Sequence, residues 1–189
     1  MLTQVNQISN DFSVSSRKED KLSPWVILVT KSVTRINGSA ELYHSFKQAD
    51  YVTVMAVTAN GHIPVVRQYR PALERYTLEF PGGLLDDGEL PEKTAKRELF
   101  EETGFVANES VALLGSLFPD TGRLENRLWC YFASGVSKHD HSSWNPEDNV
   151  SSILLSKKEF KKAIDDGEFN HAMHIAILGL AVIRGYFQL

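Results

Sequence analysis

Between Pro91 and Gly104 the chain reads "PEKTAKRELFEETG", a run made largely of good helix formers. At 100° per residue, Glu98, Glu101 and Glu102 fall within an arc of roughly 100°. Ala95 and Leu99 lie beside that arc, so the carboxylates rim a packed face rather than the far solvent side. Like charges three and four residues apart repel one another. Acidic groups in a last turn also oppose the helix dipole. Arg97, four residues before Glu101, relieves part of this, but a single guanidinium does not neutralise three carboxylates. A glutamate pair near a helix end can be no more than a solvated face. This spacing beside apolar neighbours instead calls for a hard divalent cation with oxygen ligands, Mg²⁺ or Mn²⁺. No Cys/His cluster offers a competing zinc site.

The elements that must hold this helix can be read on either side of it. Pro91 suits a first helical turn, and Gly104 suits the left-handed residue just past the end. "DYVTVMAVT", "IPVVRQYR" and "YTLEF" read as strands, the first two joined by an Asn-Gly turn, and Pro64 pushes one end of its strand toward an edge. "VALLGSLFPD" and "NRLWCYFASG" are strands around a polar loop. "VSSILL" is a strand followed by a short helix with Ser156 as N-cap and Gly167 as stop, and an apolar helix covers about residues 170–186. Upstream, "WVILVTKSVTRI" and "AELYHSFKQ" flank the turn Asn37–Ser39 as a hairpin. The chain thus divides into a polar arm (1–22), a small N-terminal β unit (23–47) and a main domain (48–189), with mixed strands and helices in layers.

A chain of 189 residues has room for one domain with a real core. Its net charge of -4 gives no electrostatic case for nucleic acid or an anionic membrane as partner. The single cysteine, Cys130, excludes a disulfide framework and reads as a small buried hydrophobe in "RLWCYFA". The first residues lack a signal peptide's pattern, and no apolar run reaches the length of a membrane span. A cytoplasmic location is the expectation.

Gly83, Glu89 and "RELFEETGF" together fill the pattern G-x5-E-x7-R-E-U-x-E-E-x-G-U, where U is a bulky apolar residue. By that box the chain resembles the Nudix hydrolases. The resemblance implies an α/β/α sandwich with a mixed sheet, here preceded by the N-terminal β-hairpin unit. It also implies hydrolysis of a nucleoside diphosphate linked to another group, by attack of water on the pyrophosphate. By box position Glu98 and Glu102 would be Mg²⁺ ligands, Glu101 a ligand or near one, and Arg97 an orienter of the carboxylates. The carbonyl of Gly82 would join the metal shell.

Residues outside the box resemble the ADP-ribose and nucleotide-sugar pyrophosphatase branch. These are "QYR" ending at Arg70, the E-x-P-x-G segment beginning at Glu79, and Pro119, 15 residues after Gly104. Gly82 stands where the branch usually has alanine, and "DTGRLE" replaces its Gly-rich loop. On this resemblance the expected substrate is a small nucleotide sugar, ADP-ribose first, giving AMP and ribose 5-phosphate. GDP-mannose or another nucleoside diphosphate derivative is the alternative, and a non-catalytic nucleotide-sugar-binding regulator a further one. Substrate contacts are expected from Arg70, Arg67, Tyr69 and Glu79. Strand alternation puts Arg67 and Tyr69 on one face and Gln68 and Arg70 on the other. The resemblance also implies a glutamate general base in the loop after Pro119, which by position is Glu125, with Asp120 near it as the alternative. The N-terminal unit implies a homodimer. "HDH" at residues 139–141, His171, His174, Trp129 and Trp144 read as surface, core-edge or anchoring groups.

Overall fold

The computed structural model describes residues 12–139, 144 and 149–189. The chain forms two compact units: one holds the N-terminal segment up to Gln48 together with Asp120–Asn126, the other Ala49–Pro119 with Arg127–Leu189.

In the N-terminal unit, β1 (Phe12–Lys21), β2 (Ile27–Arg35) and β3 (Ala40–Lys47) make an antiparallel sheet in that order. Polarity alone makes residues 1–22 an arm; residues 12–21 are instead a strand paired with β2 along its length, while residues 1–11 lie outside the described residues. β1 is exposed at nearly every position, so no hydrophobic pattern marks it. What holds it is the backbone ladder and charge pairing, with Arg17 Nη2 on Glu125 at 2.8 Å and Lys47 Nζ on Glu19 at 3.2 Å. The segment 120–126 joins β3 through an isolated parallel bridge, Phe46 to Leu124, flanked by Phe46 N–H donating to Arg123 O and Glu125 N–H donating to Phe46 O.

The larger unit is built on β4 (Tyr51–Thr58), β7 (Gly82–Leu84), β8 (Phe105–Val106), β9 (Ala112–Leu117) and β10 (Leu128–Lys138), with β4 and β10 parallel at the centre. A second sheet runs β11 (Val150–Leu155), β5 (Ile63–Arg70), β6 (Arg75–Glu79), all antiparallel. Pro64 does not lie on an edge strand: β5 is central, and Pro64, its second residue, sits opposite Leu154. Helix α1 (Pro91–Thr103) covers one face, and α2 (Lys157–Asp165) and α3 (Ala172–Ile183) cover the other. Side-chain alternation along β4 and β10 builds both cores. Val52, Val54, Ala56, Tyr131 and Ala133 meet Ala95 and Leu99 of α1. Met55, Cys130 and Phe132 turn the other way, toward Phe160, Ile177 and Ala181. The α/β/α sandwich with a mixed sheet follows from that two-sided burial.

Caps fix both helices that matter here. Pro91 opens α1, and Gly104 closes it in the left-handed region at φ 72° with its N–H on Phe100 O. Ser156 caps α2 through a reciprocal capping box with Glu159. Cys130 is fully buried and burial pushes its thiol up to about 12, which removes it as a nucleophile. No described helix is long and apolar enough to cross a membrane.

Candidate active site

Helix α1 presents its carboxylates against the backbone of β7. Glu98 and Glu102 are 7% and 4% exposed, while the Glu101 side chain is 38% exposed at the rim. Gly82 N–H donates to Glu102 Oε2 at 2.9 Å. A Cβ on Gly83 would stand 2.4 Å from Glu98 Oε1, so only glycine lets this backbone pass the carboxylate. At Gly82 a Cβ would meet Val52 O at 2.3 Å, which accounts for glycine where alanine is the related pattern.

Arg97 ties the acids together. Its Nη1 donates to Glu98 Oε1 and to Glu101 Oε2, both at 2.8 Å, while Nη2 reaches Glu89 Oε2 at 3.2 Å. The Glu89 carboxyl is held below its usual range chiefly by that guanidinium. One cation is thereby shared among three acids, with Glu102 beside them.

Across the cleft stands Arg70. Its Nε and Nη2 donate to the two oxygens of Glu79 at 2.8 and 2.5 Å, and Thr77 Oγ1 donates to Glu79 Oε1 at 2.6 Å. Burial pushes the Glu79 carboxyl up, but the hydrogen bonds from Arg70 and Thr77 outweigh it and hold the group at about 2. Burial raises the Tyr51 phenol, against the opposing charge of Arg70. The cleft between these groups has a volume of ≈ 310 Å³, and its lining includes Tyr51, Gln68, Arg70, Asp86, Arg97, Glu98 and Glu102 and the Gly82–Gly83 backbone.

Arg70, Arg97, Glu98, Glu102 and Gly82 therefore gather at one cleft, with Glu101 joined through Arg97. Arg67 and Tyr69 do not: they project from the opposite face of β5, where Arg67 lies 4.0 Å over the Tyr76 ring and Tyr69 meets Tyr76 edge-on. Glu79 does not line the cleft either; it is 1% exposed and anchors Arg70 from beneath. Glu125 belongs to the N-terminal unit. There Arg17 Nη2 lies 2.8 Å from its carboxylate, Ser45 Oγ donates to it at 2.6 Å, and Lys31 Nζ pairs with it. Desolvation raises Glu125, but those partners dominate and hold it at about 2. A carboxylate clamped by two cations is a weak base, so the expected role for Glu125 is not supported by its surroundings.

Gln68, inside the "QYR" segment but not among the expected contacts, and Tyr51, outside every motif, also line the cleft. Gln68 was within reach, because it shares a strand face with Arg70. Tyr51 gives no such signal, since only the folded sheet brings it beside Arg70. His174 is a third case. It is 3% exposed, and its Nδ1 accepts Phe80 N–H at 2.7 Å, pinning the backbone two residues before Gly82. Burial drives its ring down to about 3, so it is neutral, and its 3.8 Å approach to Glu79 is not an ion pair. Glu79, His171 and His174 offer ligand atoms within 4.8 Å of one another. They suit a cation poorly: Arg70 already occupies Glu79, and His174 keeps its proton on Nε2 because Nδ1 is the acceptor. The donors around Glu98 and Glu102 are all oxygen and fit Mg²⁺ far better. Trp129 anchors on Asp50 and Trp144 on Glu101 O. His139 N–H donates to Gly104 O and its ring meets Phe100 edge-on, while residues 140 and 141 lie outside the described residues.

The sequence pattern of the NUDIX domain matches residues 47–173. An ADP-ribose pyrophosphatase from Bacillus subtilis (strain 168) is 32% identical over 161 residues, covering 85% of this chain and 76% of that protein. A methanol dehydrogenase activator from Bacillus methanolicus is 34% identical over 118 residues, 62% of this chain and 63% of that protein. A crystal structure of an ADP compounds hydrolase superposes with a TM-score of 0.76 at 22% identity, covering 93% of this chain and 94% of that one, a likeness of fold. With the box complete at α1 and the domain pattern running from β3 into α3, the chain belongs to the Nudix hydrolase family.

Proposed function

We propose that the protein hydrolyses the pyrophosphate bond of a nucleoside diphosphate sugar, ADP-ribose foremost, yielding AMP and ribose 5-phosphate. The observation that carries this reading is one cleft in which the buried carboxylates Glu98 and Glu102 face the clamped guanidinium of Arg70. Acids alone repel a diphosphate; acids completed by a divalent ion and faced by a guanidinium bind one. The name of the Bacillus subtilis relative favours ADP-ribose, as does the "QYR" and E-x-P-x-G pattern that places Arg70 and Glu79.

Glu98, Glu102 and Glu101, with the Gly82 carbonyl, would hold Mg²⁺, with Mn²⁺ as a substitute. The chemistry such an ion supplies when bound is neutralisation of phosphate charge and acidification of water. Arg97 fixes Glu98 and Glu101 in place, so that no reorganisation is left for the moment of reaction. Arg70, held through two bonds by Glu79, keeps its remaining N–H groups for phosphate oxygens. Water attacks phosphorus, the bridging P–O bond breaks, and the water's proton passes to a carboxylate. Glu101, the most exposed of the three helix acids, takes that proton in this reading through the oxygen that Arg97 does not hold, in which case it lies beside the ion rather than on it. The buried Cys130 thiol suits a reducing, cytoplasmic setting.

A panel of nucleotide sugars and nucleotides with Mg²⁺ or Mn²⁺, read by phosphate release after phosphatase coupling, tests the proposal. ADP-ribose is expected to give the highest kcat/KM. A higher value for GDP-mannose or a dinucleoside polyphosphate would move the substrate. Tight binding without turnover would return the regulator reading, and no turnover of any member would remove the enzyme reading.

A further inference from the structure

We infer that the cavity along the outer strand β6, bordered by β11 and the segment joining α2 to α3, carries a second binding site, for a 5′-nucleotide. A cavity of ≈ 520 Å³ lies there, ample for one nucleotide, and it shares no lining residue with the cleft at Glu98 and Glu102. Its floor is apolar, from the half-buried Leu78 and Ile153. Its cationic wall is Arg67 and Arg75, neither of which forms an ion pair among the described residues. With Glu168 the one acid on the lining, two arginines against one carboxylate leave the cavity at +1, opposite in sign to a chain whose net charge is -4.

The geometry selects a planar anion. The Arg67 guanidinium carbon lies 4.0 Å over the centre of the Tyr76 ring, a pairing that offers a cationic and aromatic platform on which a base can stack. Arg75, at the start of β6, is left to take a phosphate. Asn170, on the exposed segment between α2 and α3, offers an amide to the edge of a base. Thr77 lines the same cavity and also donates to Glu79, the anchor of Arg70, so β6 is common to both sites. The inference does not depend on the substrate proposed above.

Titration of AMP onto the full chain in excess EDTA, followed by calorimetry and amide NMR, tests it. The expected result is saturable binding with shifts at Gly167, Glu168 and Asn170. Affinity should fall at least tenfold in Arg67→Gln/Arg75→Gln and change less than twofold in Arg70→Gln. Inorganic phosphate should bind at least tenfold more weakly than AMP. The amide map on the unmodified chain keeps the test decisive should the double variant fail to fold. Absent binding would overturn the inference. So would shifts confined to the cleft residues, loss of affinity in Arg70→Gln alone, or equal affinity for inorganic phosphate.

Discussion

Gly83 runs so close to Glu98 that the carboxylate's position depends on there being no Cβ between them. Gly83→Ala should therefore displace Glu98 and lower kcat by about 100-fold, the order of loss that a misplacement near 1 Å brings. Its Tm should change by only a few degrees, because the clash is with the end of a side chain. Parallel kinetics and thermal melts check this, and an unimpaired variant would contradict the close approach. The acids and Arg97 were legible as one group because spacing on a helix fixes which side chains share an arc, and this glycine only as the first position of the box. Arg67, Tyr69, Glu79 and Glu125 were not, because a motif gives position along the chain and not the partners met in the fold. Glu79 meets Arg70, and Glu125 meets Arg17 and Lys31.

At the scale of elements, the segment from β6 to β7 is pinned by α3. His174 accepts from Phe80 N–H and stacks on the Phe80 ring at 5.8 Å between centroids. Its ring is depressed by burial from an ordinary 6.5 to about 3. The unfolded chain therefore binds a proton in that window that the folded one does not. The stability tied to His174 is full above pH 6.5 and is lost as pH falls toward 3. Glu79, held at about 2, adds a loss that begins near its ordinary 4.5 and continues downward. Melts should show Tm falling between pH 7 and pH 5, with a shallower slope in His174→Asn, which retains an acceptor for Phe80 N–H. An equal slope in the variant would contradict a buried neutral imidazole. Most strands and all three helices could be read from periodicity and caps. β1 could not, since it is a solvated strand whose stability lies in backbone pairing and charge pairs, and β7 and β8 are too short to carry a pattern.

At the scale of the whole molecule, the N-terminal unit exposes large apolar side chains: Trp25 at 68%, Ile36 at 78% and Leu42 at 68%. Such groups on a small sheet favour pairing with a second copy of the chain. Light scattering should give a dimer mass at micromolar concentration, and Trp25→Ser/Leu42→Ser should shift it toward the monomer; a monomeric parent chain would contradict this. Glu125 unites the unit internally, joining β1, β2 and β3 to the 120–126 segment. Glu125→Gln should speed amide exchange in β2 and β3 while leaving kcat within about threefold. A fall of 100-fold in kcat with exchange unchanged would restore Glu125 as the base. The most direct test of the account is the conversion of ADP-ribose by the purified chain, with and without Mg²⁺, beside Glu102→Gln. The account predicts AMP and ribose 5-phosphate only with the ion present, and a loss of at least about 100-fold in the variant with its melt intact. Cleavage that persists in EDTA, or a fully active Glu102→Gln, would contradict it.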